Sequence, residues 1–148
     1  LDNMLAKDPD DFLTNGLMEN AALFCGDSNK SFKACLRYIP QTYEINEESI
    51  NQFEMTYNKS GYYAAYAEFL QQLEILYDKK YVPPGNLAIG YYFINQDDKA
   101  LKWIEKALEV HDSSIPYLGT GLWNCTRLYD NPRFIEVLKK INLPLPKN

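Results

Sequence analysis

Few side chains in this 148-residue sequence could do chemistry. His111 is the single histidine, and it falls where a helix should end, a place where a cation suits the helix dipole. A catalytic base needs a nucleophile or a metal beside it, and no motif supplies one. Paired acids stand at Asp10–Asp11, Glu47–Glu48 and Asp97–Asp98. A carboxylate dyad needs burial in a cleft, whereas each of these pairs opens an expected helix, where negative charge is stabilising. Gly119-Thr120-Gly121 lacks the further glycines, the lysine and the preceding strand of a phosphate loop, and is expected only to bend a linker. The three cysteines, Cys25, Cys35 and Cys125, form no CxxC pair. They are expected to be small buried apolar residues in a reducing compartment, with no metal and no disulfide framework. Catalytic residues, metal and cofactor are thus all expected to be none.

The net charge of −5 argues against a phosphate-binding surface. The dense basic pairs, Lys79–Lys80 and Lys139–Lys140, lie near expected helix ends. No run is long and apolar enough to cross a membrane, so no direct membrane insertion is expected. No charged-then-apolar leader opens the chain. Asn29, Asn58 and Asn124 begin Asn-x-Ser/Thr sequons, read as chance matches without a secretion signal.

The elements that must position any site read as helices throughout. From Asp97, the residues Ala100, Leu101, Ile104, Ala107 and Leu108 share one helical face, with Asp98 and Lys102 four apart on the wet side. Pro83 and Pro84 open the helix before it. "GYYAAYAEFLQQLEILYDKK" is strongly periodic, and "NEESINQFEMTY" sets Ile50, Phe53 and Tyr57 on one face. "DDFLTNGLMENAALFCGDSNKSFKACLRYI" breaks at Gly26–Asp27 into two helices. No segment alternates as a strand, so the fold class is all-α, with antiparallel helices joined by short turns.

Gly26, Gly61 and Asn95 each separate two helices, at spacings of about 35 and 34 residues, near the period of the tetratricopeptide repeat. The second helices offer Ser31, Cys35 and Tyr38, then Tyr66, Leu70 and Leu73, then Ala100, Ile104 and Ala107. The first helices offer Met18 and Ala22, Phe53 and Tyr57, Leu87 and Tyr91, with Ala88 at a close-contact position. Over roughly Pro9 to Asp112 the chain resembles the tetratricopeptide repeat family. Glu19 and Glu54 stand where that family wants Gly or Ala, and Tyr66 where it wants a small residue.

Pro9 falls where a preceding repeat should end, and Leu1–Lys7 reads as the tail of a helix whose partner lies upstream. A chain cut within a longer array would begin this way. The resemblance implies one domain, with a tail at 1–9, repeats at 12–43, 44–79 and 82–112, and a linker with a capping helix at 113–148.

"ALKWIEKALEVHDSSIPYL" followed by "LYDNPRFIEVLKKINLP" is similar to the C-terminal ending of repeat regions in bacterial signalling and transcription-regulator proteins. There a "DPRF"-type helix closes the array. Here Asn131 can cap that helix, Pro132 opens it, and Phe134, Ile135, Leu138 and Ile141 are its apolar stripe. Such a cap is what a right-handed helical-hairpin solenoid needs for solubility.

The resemblance implies a groove lined by the first helix of each hairpin, which holds a peptide or a partner helix. By phase the groove residues are Asn20, Phe24, Asn51, Asn58, Ile89, Tyr92 and Phe93. Gly85 and Ile89 hold two positions where one subclass carries the Lys and Asn of a carboxylate clamp, which argues against such a clamp here. Alternatively, Tyr92 and Phe93 pack against the neighbouring hairpin or the tail.

The function implied is a non-enzymatic protein–protein interaction scaffold, the sensor or interaction part of a larger bacterial signalling protein, binding a protein, a peptide or another copy of itself. Two other readings stay open. One is an intramolecular spacer, its groove filled by 113–129 with Tyr117, Leu122 and Trp123. The other is a small-ligand sensor with an aromatic-lined cavity. The expected compartment is the cytoplasm. A membrane span ahead of the repeats in the parent protein would place them in the periplasm.

Overall fold

The computed structural model describes residues 1–119 and 125–145. Among these the chain is helical, with no strand. In order run α1 (Asp2–Leu5), α2 (Phe12–Phe24), α3 (Ser28–Tyr43), α4 (Glu47–Ser60), α5 (Tyr62–Tyr77), α6 (Pro84–Phe93), α7 (Asp97–Glu109) and α8 (Pro132–Lys140). Short 3-10 turns at Ile115–Tyr117 and Thr126–Leu128 lie between α7 and α8. No helix among the described residues is long and apolar enough to cross a membrane.

Local chemistry starts and stops these helices. Asp11, Asp27 and Asn46 each accept an amide of the first turn, from Thr14 (2.7 Å), Lys30 (2.9 Å) and Ser49 (2.9 Å). Asn131 accepts the Arg133 amide at 2.9 Å, with Pro132 as the first helical residue. At the other end one turn recurs. Gly26, Asn95, His111 and Asn142 all take positive φ (78°, 60°, 55° and 56°). In each case the residue's own amide and the next one bond back to the helix. For Gly26 these bonds reach Leu23 and Ala22, and for His111 they reach Leu108 and Ala107. Such a reversal satisfies carbonyls that the helix end would otherwise leave open.

The chain divides into two compact units, Leu1–Phe69 and Leu70–Asn148, with the boundary inside α5. In the first unit α2 packs along α3. Its buried side chains include Met18, Ala22, Phe32, Cys35, Ile39, Phe53, Ala65 and Phe69. Aromatic rings tie its helices together. Phe32 stacks on Tyr57 with centroids 4.1 Å apart, and Phe53 meets Phe69 edge-on at 5.9 Å. Pro40 lies within α3, where it cannot donate to the ladder. Gln41 beside it ties the helix outward, its amide donating to the Asp10 carbonyl at 3.0 Å.

In the second unit α6 packs along α7. Leu87, Tyr91, Ala100, Leu101, Ile104 and Ala107 are fully buried. Gly90 marks a close approach to α5, since a Cβ there would lie 2.5 Å from Leu70 Cδ2. Ala88, the close-contact position the sequence points to, is also buried. In α8 the buried residues are Phe134, Val137 and Leu138. Ile135 and Ile141 of the expected stripe are only half-buried, because Val137 holds the inward position between them.

Candidate functional site

Helix α2 has an unusual surface for an exposed helix. Of its thirteen residues only Glu19 is charged, and Glu19 is 6 % exposed. Its outward face carries Leu13, Leu17, Asn20 and Phe24, at spacings that place them on one side. Leu13, Leu17 and Phe24 are 61 %, 46 % and 57 % exposed. Asn20 is half-buried and donates to the Gly16 carbonyl of its own helix at 2.9 Å. In the same unit, α4 presents Asn51, Met55 and Asn58 on one face, all exposed. Met55 and Asn58 line a shallow depression of about 620 Å³ with Gln52, Thr56, Lys59 and Ser60. Thr56 is held there by donating its hydroxyl to Glu68 at 2.6 Å.

The remaining expected groove residues belong to the second unit, on α6. Ile89 and Phe93 are half-buried and Tyr92 is buried. The Arg127 guanidinium lies over the Tyr92 ring at 3.9 Å and donates to the Tyr92 carbonyl. It also pairs with Asp97 at 2.8 Å, which holds its charge on and raises its pKa further. Tyr92 therefore packs under its own linker. Trp123 and Leu122, expected to plug the groove, and the bend at Gly121 lie outside the described residues, as does the Asn124 sequon. Gly119 has a φ of 77°.

Chemistry-bearing groups fall into place as structural parts. His111 is exposed and holds one of the left-handed turns. Its neighbour Asp112 is buried. One Asp112 oxygen accepts the Gly85 amide at 3.3 Å, and the other accepts the Ser114 amide at 2.9 Å. Pro83 has no side chain able to cap α6, so Asp112 supplies the acceptor from the far end of the hairpin. Asp97 opens α7 and binds Arg127. Lys102 lies over the Trp103 ring at 5.7 Å. No group of three or more His, Cys, Asp or Glu that could hold a metal occurs among the described residues. The cysteines divide: Cys35 and Cys125 are buried as expected, but Cys25 is exposed. It falls at the C-cap of α2, where the chain leaves the packed face.

The arrangement that sequence reading missed is the one around Glu19. The Tyr66 hydroxyl of α5 donates to its carboxylate at 2.8 Å, and the buried Cys35 thiol of α3 acts on the same group. The small residue that lets α2 approach α3 is Gly16, where a Cβ would lie 3.3 Å from the Tyr38 ring. Two departures from the repeat pattern, Glu19 and Tyr66, are thus partners. The signal in sequence was a lone acid among apolar residues, with a bulky tyrosine out of pattern elsewhere.

No protein-family model, curated protein or solved structure matches the chain.

Proposed function

We propose that the chain is a non-enzymatic docking module of the tetratricopeptide-repeat kind, belonging to a larger bacterial signalling or regulatory protein and binding a protein or peptide partner. The outward stripe of α2 carries this reading. A helix with no charged residue on its surface is the composition of a helix that gets covered. Leu13 and Leu17 would seat the apolar side chains of a partner helix, and Asn51 and Asn58 would serve as polar contacts on α4. The cytoplasm fits the buried, unpaired thiols of Cys35 and Cys125.

The test places a photo-crosslinking residue at position 17 and identifies what is captured in cells. The captured protein must then bind the purified chain. Leu13→Asp with Leu17→Asp should weaken that binding at least tenfold, equal to about 1.4 kcal/mol, and leave the circular-dichroism melt unchanged. Undiminished binding by the double variant would refute the docking face. Light scattering across concentrations decides whether the partner is a second copy.

One observation favours the intramolecular spacer as a second reading. Tyr92, expected to face a partner, is instead covered by Arg127 of the chain itself.

A further inference from the structure

Glu19 sits in the first unit, and among the described residues no cation acts on it. The groups that act on its charge come from α3 and α5. They are the Cys35 thiol, the Tyr66 hydroxyl, and the phenols of Tyr38 and Tyr62. All four are uncharged in their protonated forms. Cys35 is 1 % exposed and Tyr66 8 %. Tyr62 stacks on Tyr66 at 5.3 Å and is itself bonded to buried Ser31, whose hydroxyl lies 3.3 Å from the Tyr62 hydroxyl. A neutral carboxyl brings no charge into this pocket and can still accept the Tyr66 bond. A carboxylate there keeps the Tyr66 bond but has no counter-ion among the described residues, a costly way to bury a charge.

We propose that the packing of α2 onto α3 and α5 is proton-coupled, with a neutral Glu19 sealing the helix in place and an ionised Glu19 letting it open. The carboxyl links three helices of one unit, so its protonation state acts directly on their contact. Burial raises its pKa from 4.5 to about 7, against the smaller opposing effects of Tyr66 and Cys35. The closed state therefore binds more protons than the open one between those values. Closure weakens as pH rises from 4.5 to about 7 and levels off above it. The same values give a rise of about tenfold in the opening equilibrium from pH 6 to pH 8.5.

The experiment is amide hydrogen exchange on the whole chain at these two pH values, corrected for intrinsic rates, for the natural chain and Glu19→Gln. The amides of α2 should lose about tenfold protection at the higher pH in the natural chain, and hold it in Glu19→Gln, with α6 and α7 unchanged in both. Equal pH dependence in the two proteins, or a loss shared by α6 and α7, would overturn the proposal. Should Glu19→Gln not fold, carbon-13 NMR titration of the Glu19 carboxyl in the natural chain decides. A midpoint near 7 sustains the proposal, and one near 4.5 ends it.

Discussion

At the scale of single residues, the packing rests on a few positions where size is decisive. Gly90 is the clearest. A methyl group there would meet Leu70 Cδ2 at 2.5 Å, so the buried Leu70 side chain would have to shift within a packed core. Alanine is the better helix former by about 1 kcal/mol. Overpacking a buried contact costs about 1–3 kcal/mol, so the clash should win. Gly90→Ala is expected to lower the melting temperature, and adding Leu70→Val, which frees the needed volume, should recover part of the loss. An unchanged melt for the single variant would show that Leu70 has space to move. Hydrophobic periodicity did not mark Gly90. It tells which face of a helix turns inward, and this contact depends on how deeply two faces interlock.

At the scale of elements, the helices were readable because their signals are local. Asn131 and the acid pairs lie at helix starts, and Gly26, Gly61 and Asn95 lie between helices. Pairings between helices were not readable. Glu19 and Tyr66 are 47 residues apart, and Arg127 and Tyr92 are 35 apart. Each pair depends on the rotation of two helices about their own axes, which no short window of sequence contains. The α8 stripe shows the same limit more mildly, since a small error in rotation put Ile135 in place of Val137. Asp112 belongs here too, because it closes the start of α6 from a turn beyond α7. Asp112→Ala should cost about 1–2 kcal/mol, the range for a lost cap whose donor stays buried. Hydrogen exchange at the Gly85 amide should rise more than at the middle of α6. Uniform exchange along α6 would argue that Asp112 does not act as its cap.

For the molecule as a whole, each of the two units has its own buried apolar cluster, and the cysteines are reduced. The thiols report on this arrangement. Burial pushes Cys125 up to about 12 and Cys35 well above the usual thiol range, so neither is a ready nucleophile in the folded chain. Cys25 is exposed. A disulfide-exchange reagent should therefore label one thiol quickly in the native protein and all three in denaturant, with the two slow thiols following the rate of opening. Fast labelling of three thiols without denaturant would contradict the burial of Cys35 and Cys125. The candidate docking residues were partly legible at this scale. Phase along each helix placed Asn51 and Asn58 on an exposed face. It could not show that Tyr92 is claimed by its own linker.

The bond from Gly85 to Asp112 also bears on how the chain is made. The start of α6 leaves the ribosome 27 residues before its acceptor. At the usual pace of synthesis that is a wait of about one to five seconds. During that interval the Gly85 amide is without its Asp112 acceptor, and α7 is still being written. This capping bond can form only after the whole of α7 has been made, so its timing is set by translation rather than by the helix that comes first.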